Sequence, residues 1–336
     1  MTRTHRLASM LMVFGLSAGV TAQSVQLRVA DVYPAGHFVA ESMTKPWMQD
    51  VTERTRGAVT FQYFPAEQIG KGRDLLALTL SGVADVGLVV PAFVSELMPL
   101  SAVGELPGGF TSSCQGTLAY WSLARDGVLR DGEFSKNGVR ILLAVVLPPY
   151  QIFSRKPLDR LKSFEGQKIY STGGAKDLTV RKLGAIPVRM ATSEVLESMS
   201  RGTIDGALVS YATALAYNLQ GHVKFGTTGE NFGSGVITYV ISESKWKQLP
   251  PAVQTAMAEA GDAATRRACA RIDQNVETDM AKMRAAGINL VRLGDADRKS
   301  LQDLTGGVGR EWAEELDRRG REGSKVVEAF ARALPR

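Results

Sequence analysis

"LLALTLSGVADVGLV" (Leu75–Val89) and "VLESMSRGTIDGALV" (Val195–Val209) stand 120 positions apart and share Leu76/Leu196, Gly82/Gly202, Asp85/Asp205, Leu88/Leu208 and Val89/Val209. Each reads as a short helix, a glycine stop, an aspartate and a brief apolar strand. Five matches in fifteen fall within reach of chance in a chain rich in leucine and valine, but the same order of strands and helices surrounds both copies. Ligands of open α/β sheets bind beyond the carboxyl ends of the strands. Two such units facing one another make a cleft that a hinge opens and closes. Two ordinary βαβ units within one domain are the alternative.

Alternation continues on both sides of these segments. Val25 to Asp31 reads as a strand, Phe38 to Thr55 as a helix with Val39, Met43, Trp47 and Val51 on one face, and Val59 to Phe64 as a strand stopped by Pro65. Asp74 to Leu80 is a helix and Ala84 to Val90 a strand. Further on come strands at Val139–Val146, Lys168–Ser171, Pro187–Met190 and Val236–Ser242, and helices at Ala175–Leu183 and Ser193–Ser200. One long helix is predicted from Pro251 to about Ala285, opened by Pro250-Pro251 and ended near Gly287. Strand and helix in turn indicate parallel βαβ units.

The chain has 336 residues, which suggests about two domains. Arg3, His5 and Arg6, an apolar run from Leu7 to Val20 and the small-residue exit Val20-Thr21-Ala22 predict a secretory leader over residues 1–22, with a buried N-terminal helix as the competing view. Without residues 1–22 the charged residues are 38 basic against 34 acidic. The surplus is dispersed: Arg266, Arg267 and Arg271 neighbour Asp262, Asp273 and Glu277, and Arg318, Arg319 and Arg321 neighbour Glu314, Glu315 and Glu322. Mixed signs at helical spacing are solvated faces, and no concentrated basic stripe marks a nucleic-acid partner. Two cysteines, Cys114 and Cys269, exclude a disulfide scaffold and a four-cysteine metal site. In an oxidising compartment they could pair, but the sequence gives no distance between them. With His5, His37 and His222 the only histidines, neither a metal centre nor a cofactor is expected.

Catalytic patterns are weak. Ser242-Glu243-Ser244-Lys245 matches Ser-x-x-Lys by letters alone and reads as a helix cap. Gly229, Gly233 and Gly235 fit no phosphate-loop spacing. A secreted α/β hydrolase or lyase using Glu105 or Asp205 remains the rival from another class, though nothing assembles a nucleophile, a base and an oxyanion site.

Three stretches carry a family likeness. Tyr33 to Val89 contains "FPAEQIG" (Phe64–Gly70) and "SGVADVG" (Ser81–Gly87), Leu161 to Ser210 begins "LKSFEGQKIYSTGGAKD", and Lys245 to Met257 reads "KWKQLPPAVQTAM". In this order they resemble the periplasmic solute-binding proteins of TRAP (tripartite ATP-independent) transporters over nearly the whole mature chain. The resemblance implies an α/β, two-lobe periplasmic-binding-protein (clam-shell) fold with a long helix spanning both lobes. It implies lobe I from 23–147 plus 236–275 and lobe II from 148–235 plus 276–330, hinged near Leu147, Gly235 and Asp273. The expected role is that of a monomeric periplasmic receptor, capturing a small organic solute by closure and passing it to TRAP permease membrane subunits. An orphan ligand sensor of the same fold is the alternative.

Most of that family hold a substrate carboxylate with an arginine closing a "G-x-K-(I/L)-R" strand, whose planar fork suits a carboxylate. Here the strand reads Gly166-Gln167-Lys168-Ile169-Tyr170, so Tyr170 stands in the arginine's place. Tyr150 aligns with a second arginine of some members, and Val209 with the second-lobe asparagine. The expected ligand-binding set is Tyr33, Val89, Phe93, Glu105, Tyr150, Lys156, Tyr170, Gly173, Gly174, Thr192 and Val209, with Val90 beside Val89 at the strand end. Three ligands fit: a neutral or aromatic solute stacked between tyrosines; an anion held by Arg155, Lys156 or Lys176 and the amides after Gly173-Gly174; or a cation facing Glu105 or Asp31.

Overall fold

The computed structural model describes residues 24–335, and the leader expected over residues 1–22 lies outside them. Strands β1 (Val25–Ala30), β2 (Val59–Phe64), β3 (Val86–Val89) and β4 (Val139–Val146) belong to a first sheet. A second sheet takes β5 (Gln151–Ser154), β6 (Lys168–Ser171), β7 (Ile186–Arg189), β8 (Gly206–Val209) and β9 (Phe225–Thr227). The chain then returns to the first sheet with β10 (Val236–Ser242) and to the second with β11 (Asn289–Val291). The orders are β2-β1-β3-β10-β4 and β11-β9-β5-β8-β6-β7. Helices cover both sheets, so their central strands are fully buried and read as unbroken apolar runs.

The two quoted segments occupy equivalent places. β3 lies parallel to β1, and β8 parallel to β6. Gly82 and Gly202 end their helices at φ +77° and +75°, the left-handed region that a residue with a Cβ rarely adopts. Asp85 Oδ2 accepts the backbone N–H of Arg28 on β1 at 2.8 Å, and Asp205 Oδ2 that of Lys168 on β6 at 2.9 Å. Each aspartate is thus a strand-start clasp with basic partners, Arg28 and Lys245 in one lobe and Lys156 and Arg155 in the other. Burial tends to raise both carboxyls, but these hydrogen bonds and cations prevail and hold them below the usual carboxylate range. That accounts for the shared aspartate without any catalytic role.

The sheets are joined by two antiparallel crossings, which also pair with each other: Leu147 N–H donates to Gly235 O at 2.9 Å and Tyr150 N–H to Gly233 O at 2.8 Å. The third link is the helix Pro251–Ala285. Its first half presents Ala260, Gly261, Ala264 and Ala268 to the first lobe, and its last turns add Val276, Met280 and Met283 to the cluster around Phe153 and Tyr170. Cys114 and Cys269 form a disulfide, with Cα atoms 4.8 Å apart. One turn beyond it, the Asp273 carboxylate accepts the N–H groups of Ser113 (2.7 Å) and Cys114 (2.9 Å), capping the helix Ser113–Asp126. Among the described residues no helix is long and apolar enough to cross a membrane.

Of the C-terminal segment, Val308–Arg318 contacts Ala175–Lys182 of the second lobe, and the last helix reaches across to the first. Trp312, Leu316, Val326 and Phe330 pack into the cluster that contains Leu106, Phe110 and Tyr120, and the helix Gly323–Ala333 lies on Ser113–Asp126 in the first lobe. The physical reason is an apolar stripe, Val326 and Phe330 among it, that meets Leu106 and Phe110 beside the helix Ser113–Asp126.

Candidate functional site

Where the sheets face one another the chain closes a small cavity. Tyr33, Val90, Phe93 and Glu105 enter from the first lobe, Tyr170, Thr172, Thr192, Val209 and Thr213 from the second, and Tyr150 and Gly235 from the crossings. The free space is about 30 Å³, room for a water or two, so a solute must part these walls. Seven of the residues expected from sequence therefore share one cavity: Tyr33, Phe93, Glu105, Tyr150, Tyr170, Thr192 and Val209. The other four do not. Val89 is buried in the core cluster behind β3, because strand alternation turns its neighbour Val90 into the cavity instead. Lys156 is exposed, its ammonium 2.9 Å from Asp205. Gly173 and Gly174 open onto adjoining outer grooves. The helix start they precede already carries the Asp177 carboxylate, engaged by Ser171 and by Arg189 at 2.5 Å.

Local structure fixes the aromatic walls. Tyr170, 1% exposed at the end of β6, has its hydroxyl 2.8 Å from Thr192 Oγ1. Tyr150 sits in the first crossing with its hydroxyl against the second; a Cβ on Gly235 would come within 2.1 Å of that oxygen. Tyr33 follows Asp31, whose carboxylate accepts the Tyr33 N–H at 2.8 Å and the hydroxyls of Tyr63 (2.8 Å) and Tyr239 (2.7 Å). The sequence reading passed over His37 and Tyr217, and neither carries a motif that would have revealed it. His37 stacks on Tyr33 at 3.9 Å between ring centres and reaches Tyr217 of the second lobe at 6.0 Å. Burial holds His37 neutral down to about pH 3. Burial also pushes the phenols of Tyr33, Tyr150, Tyr170 and Tyr217 upward, so all four are neutral hydroxyls at any physiological pH.

The charges are already engaged. Lys176, expected as an accessible cation, is wholly buried behind the cavity wall with its Nζ 2.5 Å from Glu105 Oε2 across the lobes. No arginine or lysine among the described residues lines the cavity. Asp31 accepts three hydrogen bonds and stands outside it.

Glu105 owes its position to Glu133. It ends the 3-10 turn Leu100–Glu105, whose start is held by the Glu133 carboxyl, which accepts the N–H groups of Leu100 (2.6 Å) and Ser101 (2.9 Å). Burial raises Glu133 from 4.5 to about 7, outweighing these hydrogen bonds. Because the folded form holds its proton more tightly, this group's contribution to stability is full below pH 4.5 and lost as pH rises through about 7. Glu133→Gln should therefore gain stability relative to the parent between pH 5 and 8, as read by urea unfolding at both pH values; a constant difference would refute the assignment.

The family model described as "Bacterial extracellular solute-binding protein, family 7" matches residues 29–315. The chain belongs to this family. The family is one of extracytoplasmic solute-binding receptors of the TRAP type, which bind small organic ligands, work with membrane permease subunits and are not enzymes. Among relatives, the Outer membrane transporter protein TsaT of Comamonas testosteroni is 23% identical over 332 residues, covering 97% of this chain and 96% of that one. The C4-dicarboxylate-binding periplasmic protein DctP of Rhodobacter capsulatus is 24% identical over 330 residues, covering 90% and 94%. The fold matches a Bordetella bronchiseptica TRAP periplasmic solute-binding protein with bound (R)- and (S)-mandelate (TM-score 0.84, 21% identity, 92% and 98% covered). It also matches a Rhodoferax ferrireducens TRAP solute-binding protein with copurified benzoate (TM-score 0.85, 19% identity, 93% and 98% covered). Both structures thus share this chain's two-lobe fold and long helix.

Proposed function

We propose that this receptor captures a single-ring aromatic solute between Tyr33, Phe93, Tyr150 and Tyr170, with phenolic and threonine hydroxyls orienting its polar group. The convergence of these four rings from both lobes on a cavity without a lining cation carries the reading. Burying a phenyl-sized ring contributes about 2–3 kcal/mol, and well-placed stacking adds roughly 0.5–1.5 kcal/mol per pair. The anionic alternative loses Arg155 and Lys156 to Asp205 and Lys176 to Glu105; the cationic one loses Asp31 to its hydrogen bonds and Glu105 to Lys176. The mandelate and benzoate bound by the fold relatives share the single ring but carry a carboxylate, for which no cation among the described residues lines this cavity.

Closure is the mechanism: the solute contacts both lobes and favours the closed state by its differential affinity for that state. Export by the leader over residues 1–22, action as a monomer in the periplasm, and lobes made of 23–147 plus 236–275 and of 148–235 plus 276–330, with the last helix seated on the first, complete the proposal.

Saturating methyl benzoate, a methyl hydroxybenzoate or benzyl alcohol, all uncharged single rings, should raise the melting temperature by several degrees, as ligand at 100 times Kd adds about 2.7 kcal/mol; a shift with succinate alone would overturn the aromatic reading. Tyr150→Phe and Tyr170→Phe should each weaken binding about 3- to 10-fold, and unchanged affinity in both would remove the hydroxyls from the account. In small-angle scattering the radius of gyration should fall on saturation, whereas an unaltered profile argues against closure.

A further inference from the structure

Glu105 and Lys176 form an ion pair between the lobes, both side chains fully buried, yet only Glu105 reaches the cavity. Its hydrogen-bonding capacity is underused. Oε2 lies 2.5 Å from Lys176 Nζ, but neither atom has a partner along a hydrogen-bond direction, and Oε1 accepts only the N–H of Val236 at 3.4 Å. A carboxylate offers about four lone-pair sites, and leaving buried ones empty is costly. A solute that supplies a donor here recovers that cost. A solute carboxylate aimed at the same place meets a like charge, and an ammonium meets the field of Lys176; an uncharged hydroxyl or N–H meets neither objection.

We infer that Glu105, held in place by Lys176, accepts a hydrogen bond from a hydroxyl or N–H of the solute, so that the receptor selects aromatic solutes carrying such a group. This rests on the aromatic reading of the same cavity. Glu105 is then the specificity determinant and Lys176 the residue that positions it.

Calorimetric titration of the purified protein with methyl benzoate, its three monohydroxy isomers, benzyl methyl ether and benzyl alcohol, all uncharged, tests the inference. At least one hydroxylated ligand should bind about 10- to 100-fold more tightly than its unsubstituted counterpart, the range of a hydrogen bond to a charged group. In the double variant Glu105→Leu/Lys176→Met, which removes both buried charges together, the members of that pair should come within about 3-fold of each other. Should the double variant fail to fold, Glu105→Gln should still reduce the preference several-fold. Equal affinities in the parent, or an undiminished preference in a folded variant, overturn the inference and leave the aromatic reading standing. If no aromatic probe binds and another solute class does, both fall.

Discussion

Replacing Cys114 and Cys269 together with serine is expected to lower stability by about 3–5 kcal/mol and the melting temperature by roughly 6–10 °C. The bridge closes a loop of 155 residues, long enough for the loss of unfolded-chain freedom to be large. It also adjoins the Asp273 cap, so its removal loosens the start of Ser113–Asp126 where that helix meets the long one. Calorimetry with and without reductant measures the effect on the parent, and the double serine variant checks it independently. A melting temperature within 2 °C of the parent's in both would show that packing alone fixes this junction.

Gly261→Ala should be similarly damaging. A Cβ at this position would sit 1.9 Å from the carbonyl oxygen of Leu142 and 3.1 Å from its carbon. Both obstacles are backbone atoms of β4, so no rotamer change relieves them; helix or strand must move. Alanine would ordinarily gain up to about 1 kcal/mol within a helix, but overpacking against a sheet costs roughly 1–3 kcal/mol or more and displaces well-packed neighbours. The net expectation is a loss of about 2 kcal/mol or more, read by urea unfolding. Gly306→Ala is the control: it ends another helix, and a Cβ there meets nothing within 4 Å. It should be neutral or slightly stabilising. Equal outcomes at the two sites would sink the argument from close approach.

The strand-and-helix alternation of both lobes was legible because each element carries its own period and stop: Pro65 after β2, Gly82 and Gly202 after their helices, Pro250-Pro251 before the long helix. β5, β9 and β11 were not, being only three or four residues long and held by neighbours rather than by pattern. The helix Ser113–Asp126 escaped notice because Gly116 interrupts its apolar face. That glycine is there for packing, since a Cβ would strike Phe110 and Val146 at 2.9 Å. At the site, strand ends and aligned motifs pointed to Tyr33, Tyr150, Tyr170 and Val209. Pairings between distant residues were not readable: Lys176 looked like a surface lysine until its partner 71 positions away, Glu105, lay beside it. Lys156 erred in the other direction, its charge being spent on the strand-start clasp at Asp205.

The disulfide and the Asp273 carboxylate together grip the long helix within a single turn, between residues 269 and 273, and the buried face before that point packs on the first lobe. From Val276 onward the same helix belongs to the packing of the other half. A rod clamped at one end and loaded at the other bends where support stops. Any swing of the second half must therefore be taken up in the few residues after Asp273 and in two short peptide crossings, so the arc of motion is set by a bolted pivot rather than by a slack tether.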